Sequence, residues 1–330
     1  MSNAESQRKV IALKPPLPEE LIHGLLEFWS NLFQTDYEPF RGILTGEECG
    51  HNRDVIYLLK KDAGIVGTCH LTVAESNPAL GGLGEVGTAP DFRGSGIASE
   101  LCERARDDFQ NTGGQALFLG TNNPAAARVY RRLGWRKLPG TNVMVFVANG
   151  HTSDAYLDDY FSGNGSTTVS AGSAADRIPI IPLIVSPHDW QVMDANTDIR
   201  STRYVEQNSC MGLYTRYAPL TQNGLGAWFA ARTGQQRTVA LSTACLDGRG
   251  GCQVDGFMHA NFSADWEHLL QSCVSWASDQ GAQSCWARVS AVDKDKMSCF
   301  EAIGFQKVGE DASFDLCGKQ IKSIRLKRRL

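Results

Sequence analysis

No stretch of this chain approaches the roughly 18 consecutive apolar residues that a membrane-spanning helix needs, so no transmembrane segment is expected. The opening "MSNAESQRKV" carries no apolar core of the kind a secretory signal has. A surplus of positive charge is also missing. Up to residue 150, 15 basic residues face 17 acidic ones, and 17 face 19 beyond it, for a net charge of -4. Neither half is a polycation, which argues against bulk nucleic-acid binding. Ten cysteines include no CxxC pair and sit mostly in apolar segments such as "SCVSW" and "SCWARV". Buried, reduced thiols are therefore expected, not a disulfide framework or a zinc site. No His, Cys and carboxylate cluster has metal-ligand spacing, so no metal is expected. The expectation is a cytoplasmic protein without nucleic-acid or membrane partners.

What is present is an ordinary globular mixture, 42% hydrophobic and 21% charged over 330 residues, about two domains' worth at ~150 residues each. Residues 151 to 177, "HTSDAYLDDYFSGNGSTTVSAGSAADR", are rich in Ser, Gly, Ala and Asp and show no sustained period. That composition reads as a linker. Before it, "RKVIAL", "DVIYLLKK", "GIVGTCHLTV", "LGEVGTA" and "ALFLG" read as strands, with a turn at Asp62-Ala63-Gly64. "PEELIHGLLEFWSNLF", "ASELCERARDDFQNTG" and "NPAAARVYRRLG" read as helices, and "WRKLP" and "NVMVFVA" close the half as strands.

The second half repeats that order. "IPIIPLIV" reads as its first strand, helical segments fill about 188 to 218, and "GAWFAAR", "TVALSTACL" and "QVDGFMH" follow as strands. Then come helix "DWEHLLQSCVSWASDQG", strand "SCWARV", helix "KDKMSCFEAIG" and strand "FQKVGE". An offset of 170 residues lays Gly134 on Gly304 and Glu85 on Asp255. One offset serving both places argues for an internal duplication. The terminal "KQIKSIRLKRRL", with six basic residues and no acid, reads as a final edge strand with a solvated end.

The most informative ten residues are "DFRGSGIASE", 91 to 100. A helix start has unpaired N–H groups and the positive end of the helix dipole, so it attracts anions. Glycines there remove the Cβ atoms that would hold a phosphate off the backbone. A dinucleotide fingerprint would need a third Gly, and a P-loop would need a Lys after its last Gly. Both are missing, which leaves Arg93-Gly94-Ser95-Gly96-Ile97-Ala98 as either a pyrophosphate cradle or a glycine-rich turn without a ligand.

Two motifs in order carry a resemblance that decides between these. "EVGTAPDFRGSGIA" (85 to 98) places R-x-x-G-x-A at Arg93, Gly96 and Ala98, and "NPAAARVYRRLGW" (123 to 135) places N-x-x-A-x-x-x-Y at Asn123, Ala126 and Tyr130. The first half, about residues 8 to 148, thereby resembles the GNAT superfamily of acyl-CoA-dependent N-acyltransferases, and the second half echoes it only in topology. The resemblance implies an α/β (α+β GNAT-type) chain of two GNAT-like domains, each a central mixed sheet flanked by helices. The expected division is residues 1–150, a catalytic domain; 151–177, a linker; and 178–330, a degenerate copy.

It further implies that pantetheine lies in a gap between the strand "LGEVGTA" and the strand "ALFLG", bonded near Val86, Gly87 and Thr88. Pyrophosphate would meet amides of Gly94, Ser95, Gly96, Ile97, Ala98 and Ser99. Asn123 would contact the cofactor, cap the following helix, or both. Tyr130 would protonate the leaving thiolate, or else pack as an aromatic. Glu85 is the first candidate for the base, with His70 and Glu75 behind it; His70 has a suitable ordinary pKa. The acidic Asp36, Glu38, Glu47 and Glu48 lie where relatives line the acceptor site, or are plain surface charge.

In the second half Tyr130 falls on Phe300 and Asn123 on Asp293, and the cradle becomes "SADWEH", with no glycine and two acids. Coenzyme binding is not expected there. The copy would stabilise the first, shape the acceptor cleft or bind a regulator. The expected activity is transfer of an acetyl group from acetyl-CoA to an amine acceptor, by a monomer or homodimer. A non-catalytic acyl-CoA-binding module and an enzyme for another acyl-CoA remain the alternatives.

Overall fold

The computed structural model describes residues 9–61, 64–163 and 165–330. The start of the chain, and Asp62 and Ala63 of the expected turn, lie outside them. The chain divides into two compact units, one of residues 1–136 with 144–151 and one of residues 137–143 with 152–330.

In the first unit the order is β1 (Val10–Leu13), α1 (Glu19–Phe33), α2 (Arg41–Thr45), β2 (Asn52–Lys61), β3 (Gly64–Ala74), β4 (Leu80–Thr88), α3 (Ile97–Asn111), β5 (Ala116–Gly120), α4 (Pro124–Arg132), β6 (Arg136–Lys137) and β7 (Val143–Val147). Helix α1 buries Ile22, Leu25, Leu26 and Trp29, spaced three and four apart, and has Glu19 and Glu20 in its first turn. The sheet runs β1-β2-β3-β4-β5-β7-β6 and is mixed: β1 to β4 are antiparallel neighbours, while β4 and β5 are parallel. One core, with Tyr57, Cys69, Leu71, Leu101, Phe109, Tyr130 and Trp135, lies against α3 and α4. A second, with Ile22, Leu25, Trp29, Leu44 and Ile56, lies under α1 and α2.

Two irregularities shape this sheet. Glu85 adopts a left-handed φ of 47°, and the β3–β4 register shifts there, between the pairs Thr68–Gly87 and His70–Gly84. That is a β-bulge, which bends the strand that carries it. The parallel β4–β5 pairs end at Leu83 and Leu119, although β4 continues to Thr88. Past that point β5 ends, at Gly120, and β4 runs on without it, opening a gap between them.

The second unit runs α5 (Ser153–Tyr160), β8 (Thr167–Ala171), α6 (Ile180–Val185), β9 (Val192–Asp194), β10 (Ile199–Arg200), α7 (Ala218–Gln222), β11 (Gly226–Thr233), β12 (Thr238–Leu246), β13 (Gly251–Met258), α8 (Trp266–Asp279), β14 (Ser284–Ser290), α9 (Lys294–Ala302), β15 (Gln306–Leu316) and β16 (Lys319–Arg329). Its sheet, β8-β11-β12-β13-β14-β16-β15, has the connectivity of the first. The 170-residue offset lays α9 on α4, from first residue to last. Both units are α+β, each a seven-strand mixed sheet with flanking helices.

Four local expectations are corrected. The stretch 151–177 is not a bare linker. Thr152 caps α5, accepting from the Ala155 N–H at 3.2 Å, and Thr167–Ala171 is the outer strand of the second sheet, paired with β11 over five positions. An exposed edge strand shows little apolar alternation, which hid it. "IPIIPLIV" forms a helix with all of Ile180–Val185 buried; a continuous apolar run fits a buried helix as well as a strand. Much of 188–218 is irregular around the small β9–β10 ladder, in keeping with its Asp and Asn turns. Finally, β16 is an inner strand between β14 and β15, and β15 takes the edge.

Trp135 is fully buried and its indole N–H donates to the Leu117 carbonyl at 2.9 Å, joining the α4 exit to β5. Trp135→Ala is expected to destabilise the first unit by about 3–5 kcal/mol, read as an earlier denaturant midpoint for that unit; a change under about 1 kcal/mol would contradict this packing role.

Candidate active site

The cradle forms because glycines supply a backbone that other residues rarely adopt. Gly94 and Gly96 have φ of 77° and 87°, and a Cβ at either would project into open space. Gly96 is the residue preceding the first turn of α3, so the helix's free N–H groups open at this point. On the opposite side Asn123 caps α4: its side-chain oxygen accepts from the N–H groups of Ala125 at 2.9 Å and Ala126 at 3.4 Å, with Pro124 at the first helical position.

These two helix starts face one cavity of about 970 Å³. Its walls include Val86, Gly87 and Thr88 of the splayed end of β4, then Arg93, Gly94, Gly96, Ile97, Ala98 and Ser99, and Asn123 and Ala126 of α4. Nearly every expected cofactor contact is thus brought together. Ser95 is not on the wall; its hydroxyl donates to the Phe92 carbonyl at 2.5 Å. Arg128, Arg131 and Arg132 join Arg93 on the lining. Sequence reasoning missed these three, although their spacing on "ARVYRR" places them on one face of a helix. Four arginines on a lining that also holds the start of α3 suit the charge of an anion.

Glu85 and Tyr130 lie beside this wall and not on it, each next in the chain to a residue that lines it. Tyr130 is 5% exposed and packs against Trp135, ring centroids 6.3 Å apart. Glu85, whose side chain is 12% exposed, is held by two residues of β3. Its carbonyl accepts from the Thr68 hydroxyl at 2.7 Å, which in turn accepts from the Trp29 indole N–H at 3.0 Å. Its Oε2 meets His70 Nδ1 at 3.1 Å, while His70 Nε2 meets Asp54 Oδ1 at 2.7 Å. Thr72 donates to the same Asp54 oxygen at 2.7 Å. Phe40 sits edge-on to His70 at 5.2 Å, and Tyr37 joins the aromatic group with Trp29. The Tyr37 hydroxyl pKa is pushed up, by burial first and by the Glu85 charge second.

His70 is fully buried between two carboxylates. Burial alone would lower its pKa, but the hydrogen bonds and charges of Asp54 and Glu85 outweigh it and raise the value to about 9. At neutral pH the ring is an imidazolium donating from both nitrogens, so it is no proton acceptor. That removes His70 as a base and makes it the fixed partner of Glu85. Glu75 is exposed beyond the end of β3 and takes no part. Of the acidic loop residues, Glu38 is paired with Arg41 and Glu48 accepts from Asn52. Asp54 and Thr72 were invisible to sequence reasoning because only the β2–β3 register places them beside His70.

Residues 20–135 match the Acetyltransferase (GNAT) family. A comparison with curated proteins gives no match. Among solved structures, the chain is similar to a phosphinothricin acetyltransferase from Sinorhizobium meliloti in complex with AcCoA, at 17% identity over 50% of this chain and 88% of that one, TM-score 0.40. It is similar also to a ribosomal-protein-alanine N-acetyltransferase from Brucella melitensis, at 13% identity over 49% and 99%, TM-score 0.39. A spermidine N-acetyltransferase from Vibrio cholerae gives 12% identity over 49% and 93%, TM-score 0.39.

A group whose pKa rises on folding contributes stability that is fully present below its unfolded value, near 6.5, and is lost as pH climbs through the folded value. For His70 that window runs from about 6.5 to about 9. The thermal midpoint of the first unit is therefore expected to fall by several degrees across it, and the fall should largely vanish in His70→Gln. An unchanged slope in that variant would mean that other groups set the pH dependence.

Proposed function

Because residues 20–135 are a GNAT acetyltransferase domain, we propose that this chain transfers the acetyl group of acetyl-CoA to the amine of a small acceptor, by direct attack. The observation that supports this best is the open splay of β4 and β5 onto a cleft floored by left-handed glycines and ringed by arginines. Acetyl-CoA supplies an activated thioester.

The residues that would hold it fit its chemistry. Amides of residues 94–99 at the α3 start suit a pyrophosphate, and Arg93, Arg128, Arg131 and Arg132 suit the phosphate charge. The unpaired edge of Val86, Gly87 and Thr88 suits the amides of the pantetheine arm, as an added strand would. Backbone N–H groups there also stand where they can polarise the thioester carbonyl.

Two proton movements remain for side chains. Glu85, with Oε2 engaged by the His70 imidazolium, offers Oε1 to the acceptor's ammonium proton, directly or through a water. Asp54, Thr72 and His70 act as positioning residues that keep the carboxylate aimed. Tyr130 gives its hydroxyl proton to the leaving thiolate. In this reading residues 1–150 are the catalytic domain and the second unit carries no coenzyme.

An assay of CoA release from acetyl-CoA across a panel of primary amines checks the proposal. Glu85→Gln and Tyr130→Phe are each expected to lower turnover by roughly 10²-fold or more, the scale of a lost general base or acid, with acetyl-CoA affinity kept within a few-fold. Full turnover in either variant removes that residue from the mechanism.

A further inference from the structure

The second unit repeats the splay of the first. Its parallel pairs between β13 and β14 end at Gln253 and Trp286, while β13 runs on to Met258 and β14 to Ser290. By the 170-residue offset Gln253 corresponds to Leu83, where the first sheet opens. The lips of this second opening are bridged by residues 191–196, the segment around β9.

On one lip, the Ala195 N–H donates to Asp255 Oδ2 at 2.7 Å. The Asn196 side-chain amide donates to the Gln253 carbonyl at 3.2 Å and to the Thr243 hydroxyl at 3.0 Å. At the other, the Gln191 N–H donates to Asp293 at 2.9 Å and the Ser290 hydroxyl to the Gln191 side chain at 2.9 Å. Lys296, fully buried, donates to the carbonyls of Val192 at 2.9 Å and Met193 at 2.8 Å, and its ammonium lies 2.6 Å from Asp255.

We propose that residues 191–196 are the resident ligand of the second unit's splay: the unit takes a strand of its own chain where the first offers an open cleft. Three side chains make this slot, and each stands at a position where the first half has a site residue. Asp255 replaces Glu85, Asp293 replaces Asn123, and Lys296 replaces the cleft-lining Ala126. The two carboxylates accept from the strand's N–H groups and the ammonium donates to its carbonyls. Each substitution thus converts a surface for an external molecule into a clamp for an internal one. Strand β13 also lacks the bulge: its pairing with β12 is unbroken from Cys252 to Met258. The Asp255–Lys296 pair spans the opening and sits beside a second buried carboxylate, Asp194, whose pKa burial and Asp255 push up to about 7. Removing the ammonium would leave two carboxylates facing each other out of water.

Hydrogen exchange on the full chain tests this, with and without saturating acetyl-CoA. Amides of 191–196 should exchange as slowly as those of β13, and acetyl-CoA should leave 251–258 and 290–296 unchanged. Exchange of 191–196 at open-loop rates, or new protection in 251–296 with acetyl-CoA, would overturn the proposal. The first readout stands even if acetyl-CoA fails to bind the first unit, so the two proposals fail separately. Lys296→Met should speed exchange in 191–196 by at least about tenfold while residues 85–99 keep their rates. Should that variant not fold, Asp255→Asn combined with Lys296→Met removes both charges at similar volume and should still speed it; unchanged exchange would mean that the clamp holds nothing.

Discussion

A mixed sheet in which a strand runs on past its last parallel pair exposes backbone donors and acceptors that must find partners elsewhere. Both sheets of this chain do so, and the 170-residue offset relates the last paired residues of β4 and β13, Leu83 and Gln253. The two units meet that demand in opposite ways. The first leaves its edge facing a cleft with an arginine-lined wall, where a ligand with amide and phosphate groups can complete the bonding. In the second, carboxylates and an ammonium draw a piece of the chain into the gap.

The same comparison explains why the first unit tolerates a costly residue. Glu85 is a non-glycine at positive φ in the middle of a strand, a conformation that persists only where its surroundings over-determine it. Thr68, itself held by Trp29, fixes the Glu85 carbonyl, and His70 fixes its carboxylate. The bulge bends β4 beyond its last pair with β5, and it delivers a carboxylate to the edge of the cleft with one oxygen committed. His70 serves this arrangement as a buried cation, with Asp54 and Thr72 fixing it from behind. A fully buried charge is expensive unless paired and hydrogen-bonded, and here both ring nitrogens are engaged.

Much of this was legible in the sequence, and what was not has identifiable causes. The glycines, Asn123 and the 170-residue repeat are local patterns: the glycines stand before α3, Asn123 caps α4, and the offset lays α4 on α9. The α+β class and the two-sheet organisation followed from the order of strand and helix signals. The buried triad was not legible, because Asp54, His70 and Glu85 come from three strands and meet only through register. The first strand of the second sheet was hidden by its exposure and small polar residues, and the bonding of residues 191–196 by the absence of any periodic signal in an irregular segment. Asp255, Asp293 and Lys296 were each readable as departures from the first half, but their common purpose appears only when the segment between them is seen.

If an open splay beside a self-filled one is the right description, the chain has room for one coenzyme. Isothermal titration of acetyl-CoA into this chain measures it directly. The account predicts a single site per chain with a stoichiometry near one; two sites per chain, or none in protein shown to be folded, would contradict it.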